Sequence, residues 1–287
     1  MATLKTMPSE SPAIPQAVPP MHRLKRLMEN TFPKSVESVR EWWYERVSHE
    51  MLSSIAARNG FAVQAGPFRN LQYPAEFLAH GKVTKYALLP KVVGCYEAEL
   101  GDVLTKVAGG NYDRIVNIGC SEGYYAVGLA RCLPKALVFA FDIDPLAHQL
   151  CGKMASFNEV SDRMRILGEC TMRYLQELVG ANTLIVSDCE GCELQLMDPD
   201  AVPGLLACDL IVELHDCFNP AISEMVTRRF APSHNITVLT RIPRDPASYP
   251  SLEGFTPYWQ RLAVNESRWG IPCQWAYMTR KIAQRAD

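Results

Sequence analysis

The pattern of apolar and polar residues changes at Arg114. From there a short apolar strand runs into a glycine-containing turn, residues 119–123 (GCSEG), and then into an apolar helix. A strand, a glycine turn and a helix are typical of the first unit of a parallel sheet. Gly119 would allow the tight turn and Gly123 would let a ligand approach the backbone. We therefore expect Gly119→Ala to block the ligand and to leave the fold largely intact.

The same alternation continues along the chain. Predicted strands cover residues 136–141, 165–167, 183–186, 210–214, 236–242 and 274–279, and predicted helices cover 146–157, 171–179 and 221–230. This order predicts a Rossmann-like α/β fold, with a seven-stranded, mostly parallel sheet and helices on both faces. In such sheets ligands bind outside the carboxyl ends of the strands.

The residues before the sheet divide into two parts. Residues 1–20 carry five prolines among small residues, and we expect a disordered tail because they bury too little apolar surface to fold. Apolar residues at three- and four-residue steps predict a helix within 21–59, whereas 61–94 predict an irregular loop or lid. The expected domains are the tail, a helical cap over the substrate at 21–110, and a ligand-binding domain at 111–287.

Composition narrows the classes of function. The chain has 29 basic and 31 acidic residues, a net charge of −2, so neither nucleic acid nor a membrane surface is an expected partner. No apolar run reaches the roughly 20 residues of a membrane span. Ten cysteines without a framework pattern favour reduced thiols and a cytoplasmic location. Cys189 and Cys192 form a C-x-x-C, which we interpret as incidental because no second pair completes a zinc site.

Acidic residues follow the carboxyl ends of four consecutive predicted strands. They are Asp142, Glu169, Asp188 and, after the fourth of these strands, Glu213 and Asp216 with His215 between them. A carboxylate at Asp142 can accept two hydrogen bonds from a ribose diol, and one at Glu169 can meet an adenine amino group. Tyr96 and Glu97, at the start of another predicted helix, either hold an amino group of the ligand or serve the structure.

The order of these motifs resembles the class I S-adenosylmethionine-dependent methyltransferases, and most of all their FkbM type. The motifs are NIGCSEG from Asn117, FDID from Phe141, GECT from Gly168, SDCEGCEL from Ser187 and IVELHD from Ile211. The glycine motif alone is weak evidence, but the series has the spacing of that family. The resemblance covers residues 112–216 and the plan of the last two strands, and the first 90 residues match no motif.

The resemblance implies S-adenosyl-L-methionine as cofactor and a role for each matching residue. The implied cofactor-binding residues are Asn117, Gly119, Cys120, Ser121, Glu122, Gly123, Asp142, Ile143, Glu169, Cys170 and Asp188, with Glu97 as a further candidate. The turn lines the methionine part, with Glu122 at its mouth, Asp142 binds the ribose and Ile143 packs on the adenine. Many members have an acidic residue at the position of Asn117, so either the cofactor binds more weakly here or Glu97 compensates for the missing charge.

The implied activity is O-methylation of a small-molecule hydroxyl, in the biosynthesis of a natural product or a sugar. His215 is the candidate base for the acceptor proton, with a structural histidine as the alternative, and Asp188 lies near the methyl donor. Asp188, Glu213 and Asp216 are candidate Mg²⁺ ligands, although carboxylates beside a sulfonium need no metal. A homodimer is left open.

Two other functions remain open. An NAD(P)-dependent oxidoreductase also has a glycine turn and an acidic residue after the second strand, although it usually carries G-x-G-x-x-G. A methyltransferase-like domain that binds the cofactor or a partner without catalysis is the second alternative, and Asn117 leaves it open.

Overall fold

The computed structural model describes residues 34–266 and 274–281. The predicted tail, residues 1–20, and the first part of the predicted cap therefore lie outside the described residues. The chain divides into two compact units, 1–44 and 45–287, and every site residue discussed below belongs to the second unit. None of the described helices combines the length and the apolar content needed to cross a bilayer.

The described residues form seven strands and ten α-helices. The strands are β1 (Arg114–Ile118), β2 (Leu137–Phe141), β3 (Met164–Leu167), β4 (Thr183–Ser187), β5 (Asp209–Leu214), β6 (His234–Thr240) and β7 (Gln274–Arg280). The helices are α1 (Lys34–Asn59), α2 (Glu76–Ala79), α3 (Lys85–Val93), α4 (Gly101–Ala108), α5 (Tyr124–Cys132), α6 (Pro145–Phe157), α7 (Met172–Leu178), α8 (Glu193–Leu196), α9 (Ile222–Phe230) and α10 (Pro257–Ala263). Short 3-10 helices lie between several of these elements.

All seven strands belong to one sheet with the order β3-β2-β1-β4-β5-β7-β6. Neighbours among β1 to β5 are parallel, whereas β7 runs antiparallel to both β5 and β6. The order reverses on either side of β1, and this is the switch point at which doubly wound sheets bind ligands. The predicted fold class, a Rossmann-like, seven-stranded and mostly parallel sheet, is confirmed.

Helices cover both faces of the sheet. On one face Val116 and Ile118 of β1 join a buried core with Leu175 of α7, Leu196 of α8 and Ile222 of α9. Because alternate residues of a strand point to opposite faces, the residues between them point to the other side. There α5 packs on the sheet, as the Tyr125 ring against the Trp275 ring of β7 shows, with 6.0 Å between centroids.

The prediction of an irregular segment at residues 61–94 is wrong in part. Helix α3 occupies its last third, with Pro90 inside the helix. Leu88, Leu89, Val92 and Val93 are buried, and this burial outweighs the helix-breaking tendency of proline. Its proline content therefore led to a wrong prediction of irregular structure for a segment that belongs to the core.

Candidate functional site

The carboxyl ends of the central strands lie level with one another. Ile118, the last residue of β1, pairs with Phe141 at the end of β2 and with Ser187 at the end of β4. Asp142 and Asp188, which come next in the chain, therefore lie on either side of the glycine turn. The register of the strands therefore brings these two predicted site residues to the same edge of the sheet.

The glycine turn is held by its own backbone. The N–H groups of Gly119 and Cys120 both donate to the carbonyl oxygen of Phe141 at 2.9 Å. The Ser121 N–H donates to Asp142 Oδ2 at 2.8 Å, and the Gly123 N–H donates to the Cys120 carbonyl oxygen at 2.8 Å. Four of the five amides in residues 119–123 are thus used inside the protein. The turn lacks the row of N–H groups with which pyrophosphate-binding turns hold their ligand.

The two glycines of the turn lie so close to other parts of the chain that a side chain on either would crowd other protein atoms. Gly119 has φ +79°, and a Cβ on it would lie 1.8 Å from the carbonyl oxygen of Asp188. Gly123 has φ +102°, and a Cβ there would lie 3.0 Å from Val127 and 3.2 Å from the Cys151 sulfur. The expectation that Gly119→Ala leaves the fold intact is therefore wrong, because the added methyl group meets the chain after β4.

The carboxylate of Asp142 ties the turn to β2. Its Oδ2 accepts a hydrogen bond from the Ser121 N–H at 2.8 Å, and its Oδ1 accepts one from the Asp144 N–H at 2.9 Å. A carboxylate oxygen has two acceptor positions, so each can accept a further bond from a diol. Ile143, the next residue, leaves 65% of its surface exposed. A polar acceptor and an apolar surface thus lie side by side at the end of β2.

The residues after β3 extend this apolar surface. Glu169 is exposed, whereas the side chain of Cys170 is buried in the core. Met172 and Tyr174, in the first turn of α7, are both partly exposed, and the Tyr174 ring packs 5.3 Å from that of Phe141. Of the two predicted adenine-edge residues, only Glu169 presents its side chain. Met172 and Tyr174 were missed, although two large apolar residues in a surface turn were a visible signal.

Asn117 carries an unsatisfied acceptor in the middle of the sheet. The side chain is fully buried, and its Nδ2 donates to the Val186 carbonyl oxygen at 3.2 Å. Its Oδ1 has no hydrogen-bond partner among the described residues. A buried polar atom without a partner is costly. The amide oxygen is therefore ready for a donor that reaches the end of β1.

Glu97 belongs to a buried acidic network beside β1. Its carboxylate accepts a hydrogen bond from the Tyr125 hydroxyl, and its N–H donates to the Glu266 carboxylate. Arg244 Nη2 lies 3.0 Å from Glu99 Oε2 and 2.6 Å from Glu266 Oε1, with all three side chains almost completely buried. These contacts place Glu97 in a buried network that also contains Glu266 and Arg244.

Three carboxylates surround His215 beyond the ends of β4 and β5. Its Nδ1 lies 2.5 Å from Glu193 Oε1, and its Nε2 lies 3.4 Å from Asp188 Oδ1 and 3.5 Å from Glu213 Oε2. One ligand atom each from Asp188, Glu213 and His215 lie within 4.8 Å of one another. Glu193 fixes one ring nitrogen, so the other is directed at the two remaining carboxylates.

This crowding shifts the protonation of the cluster. Burial lowers the pKa of His215, but the hydrogen bond to Glu193 and the charges of Glu213 and Asp188 together raise that pKa to about 9. Burial and the neighbouring Glu213 raise the pKa of Asp188 well above 3.8. The ring is therefore in its charged imidazolium form at neutral pH, and it can accept a proton from another group only after it has lost one of its two ring protons.

Glu122 does not lie at the mouth of the turn, and this prediction is wrong. Its side chain is buried, and the carboxylate pairs with Lys91 Nζ of α3 at 2.7 and 3.0 Å. Tyr73 donates a longer hydrogen bond to the same group at 3.4 Å. Glu122 thus anchors α3 to the turn through its carboxylate.

Asp216 is not part of the acidic cluster, and its prediction as a metal ligand is wrong. Its two carboxylate oxygens accept hydrogen bonds from the N–H and the hydroxyl of Ser223, at 2.8 and 2.6 Å. Asp216 therefore holds the first turn of α9. The residue that lies beside Asp188 and Glu213 is His215 instead. The two-residue period of a strand was a signal for this, because Glu213 and His215 share one side and Asp216 points to the other.

Glu193 contacts His215, and it is not among the candidate site residues predicted from the sequence. It is fully buried, and the oxygen that meets His215 also accepts the Gly191 N–H at 3.3 Å. The available signal was its position as the second glutamate of the motif SDCEGCEL, which begins at Ser187. Spacing alone did not reveal that it reaches a histidine 22 residues later.

Comparisons with known proteins find similarity in structure only. No family model matches the chain, and no curated protein matches it. An O-methyltransferase, TomG from Streptomyces achromogenes, involved in tomaymycin synthesis and solved with SAM, is 12% identical over 81% of this chain and 89% of its own, with a TM-score of 0.41. An O-methyltransferase from Bacillus cereus with SAH is 14% identical over 90% and 96%, with a TM-score of 0.42. A putative rRNA methylase from Clostridium thermocellum is 11% identical over 64% and 96%, with a TM-score of 0.47.

Proposed function

We propose that this chain binds S-adenosyl-L-methionine and transfers its methyl group to a hydroxyl group of a small molecule. The observation that carries the proposal is the order of groups along the sheet edge. The Asn117 oxygen lacks a donor among the described residues at β1, the Asp142 carboxylate follows at β2, and the exposed Ile143 comes next. An ammonium group, a ribose diol and an adenine ring follow one another in the same order in this cofactor.

The glycine turn disfavours the diphosphate of a nicotinamide nucleotide. Four of its five amides are already bonded within the protein, whereas a diphosphate is held by backbone N–H groups that point at the ligand. S-adenosyl-L-methionine carries no phosphate and does not need these N–H groups.

The cluster after β4 and β5 is the proposed place of the acceptor. When bound, the cofactor supplies an activated methyl carbon, so holding the acceptor hydroxyl in line accounts for much of the rate. His215 Nε2 faces Asp188 and Glu213, and it can receive a hydroxyl proton once the charged ring has given up a proton of its own. We assign the base to this neutral form of His215, the neighbouring acid to Asp188 and the orientation of the ring to Glu193.

A divalent cation is the second candidate for activating the hydroxyl. The carboxylates of Asp188 and Glu213 and the imidazole of His215 offer three ligand atoms within 4.8 Å of one another. Glu193 holds the opposite ring nitrogen, as carboxylates do for many metal-bound histidines. A cation here would lower the pKa of an acceptor hydroxyl. Two carboxylates and one imidazole suit Mn²⁺ as well as Mg²⁺.

The finer parts of the proposal come from the sequence motifs. Membership of the FkbM type, a natural product or sugar as acceptor, a biosynthetic role and a cytoplasmic location are carried by the resemblance and by composition. A homodimer and a helical cap at residues 21–110 likewise stay predictions. Binding of the cofactor without turnover on any hydroxylated acceptor would favour the non-catalytic alternative.

The test compares cofactor binding in two variants with the same change of charge. Asp142→Asn removes the ribose acceptor, and we expect the Kd for S-adenosylmethionine and S-adenosylhomocysteine to rise about 10- to 100-fold, because a hydrogen bond to a charged group contributes about 1.5–3 kcal/mol. Asp144→Asn is the control, since this carboxylate accepts a bond from Leu146 N–H in α6. Equal Kd values in both variants, or titration by NADH or NADPH instead, would overturn the assignment.

Turnover decides between the two ways of activating the hydroxyl. Transfer of a labelled methyl group to a panel of hydroxylated acceptors is measured with EDTA, with Mg²⁺ and with Mn²⁺. Activity that survives EDTA assigns proton removal to the side chains. Activity that returns only with an added cation assigns it to the cluster of Asp188, Glu213 and His215.

A further inference from the structure

The C-x-x-C segment between β4 and α8 lies against the candidate catalytic cluster. Cys189 directly follows Asp188, and Cys192 directly precedes Glu193, the residue that bonds to His215. Among the described residues neither cysteine belongs to a group of three metal-ligating side chains. A zinc site is therefore not the reason for this pair, and its two thiols need another account.

The backbone between the two cysteines brings their side chains together. Glu190 and Gly191 have φ values of +47° and +108°, so two consecutive left-handed residues fold the chain back on itself. The two cysteines stand at the two ends of this bend, three residues apart in the chain. A disulfide needs Cα atoms within about 7 Å of each other, and a turn of four residues brings its end residues that close.

Solvent can reach this pair, which distinguishes it from a second pair of thiols in the chain. Cys192 is exposed and Cys189 is half-buried. The second pair, Cys120 in the glycine turn and Cys151 in α6, is buried. Reaction with a dissolved disulfide requires access to the attacking sulfur. Of these two pairs, only the C-x-x-C pair has a sulfur that solvent can reach.

We propose that Cys189 and Cys192 form a reactive dithiol that closes to a disulfide by exchange with a small disulfide such as oxidised glutathione. The Cys192 thiolate attacks one glutathione sulfur, which forms a mixed disulfide and releases the first glutathione thiol. Cys189 then attacks the Cys192 sulfur, which forms the internal disulfide and releases the second. The protein gives up two electrons and two protons, and oxidised glutathione receives both.

The position of this dithiol couples it to the cluster. The Gly191 N–H, inside the loop, donates to the same Glu193 oxygen that bonds to His215. Closing the loop with a covalent bond fixes the segment that carries this contact. The site goes beyond the proposed methyl transfer and does not depend on it, since the exchange needs only the two thiols.

The experiment treats the full-length, reduced protein with oxidised glutathione and measures the intact mass and the peptide map. We expect a chain lighter by two hydrogen atoms, with Cys189 joined to Cys192 and with recovery on addition of dithiothreitol. Cys189→Ser removes the resolving thiol, so a mixed disulfide with one glutathione should accumulate at Cys192. Cys217→Ser is the control, because Cys217 is also exposed and its loss should leave the closure unchanged.

Each remaining outcome overturns the proposal. A wild-type chain that stays fully reduced lacks the proposed reactivity. A chain that only gains glutathione lacks the second step. A disulfide mapped to another pair, or one that disappears in Cys217→Ser, assigns the reaction elsewhere. The mass is read on soluble protein with an unchanged circular dichroism spectrum, so unfolding cannot imitate the expected result.

Discussion

Replacing Gly119 with alanine should destabilise the ligand-free protein. Gly119 has φ +79°, a conformation that alanine adopts only with strain, and the added Cβ would lie 1.8 Å from the Asp188 carbonyl oxygen and 2.9 Å from its carbon. The backbone after β4 must therefore move, since no ordinary contact between these atoms is that short. The strain appears without any cofactor, because both partners belong to the chain.

The magnitude follows from two contributions. The left-handed conformation costs alanine about 1–2 kcal/mol, and forcing extra volume into a packed region costs about 1–3 kcal/mol. The free energy of unfolding should therefore fall by about 2–5 kcal/mol. Asp188 moves with the backbone, so cofactor affinity should weaken as a second effect.

The assay is urea unfolding of the ligand-free protein, followed by circular dichroism. Gly254→Ala is the matched control, because Gly254 has φ +84° and a Cβ on it would meet nothing within 4 Å, so it should lose only the conformational part, about 1–2 kcal/mol. Equal losses in the two variants would refute the close approach of Gly119 to Asp188. A fold as stable as the parent, with only cofactor binding lost, would restore the interpretation based on sequence.

Three further predictions concern side chains that hold the site in place. Lys91→Met leaves the buried Glu122 carboxylate without its cation and should lower the free energy of unfolding by about 3–5 kcal/mol. The control Lys153→Met removes an exposed ion pair and should lower the free energy of unfolding by less than about 1 kcal/mol. Equal losses in the two variants would mean that the Lys91 pair is not buried. Burial raises the pKa of Glu122, but Lys91 lowers it further, to below 4.5, so the stability from this pair should be present above pH 4.5 and lost as the pH falls through the lower folded value. A double variant with Lys91→Met and Glu122→Gln should lack that pH dependence in the same unfolding assay. Asp216→Ala removes the bonds to Ser223 and should lower the free energy of unfolding by about 1 kcal/mol, and an unchanged value would contradict its role at α9.

The sheet and its ligand-binding edge were predictable because their signals are local. Strand β2 was expected at 136–141 and lies at Leu137–Phe141, and α9 was expected at 221–230 and lies at Ile222–Phe230. Alternation of apolar residues and the position of acids after strands depend on neighbours in the sequence. The place of Asp142 beside the turn followed from these signals.

The errors concern contacts between distant parts of the chain. Glu122 meets Lys91, 31 residues earlier, and nothing near Glu122 in the sequence indicates a buried cation. Gly119 meets the carbonyl oxygen of Asp188, which only the pairing of β1 with β4 brings close. The error over Asp216 was different, because a local signal was present. The alternation along β5 puts Glu213 and His215 on one side and Asp216 on the other, and the prediction did not use it.

The antiparallel β7 has a consequence for the order in which the chain is made. Among the described strands β6 pairs only with β7, and β7 also supplies the second neighbour of β5. During synthesis on the ribosome, β5 therefore keeps an open edge, and β6 has no partner, until residues 274–280 have left the exit tunnel. Unpaired strand edges invite association with other chains. A nascent chain arrested before β7 should consequently depend on chaperones more than one arrested after β7 with an added linker long enough to carry β7 out of the tunnel.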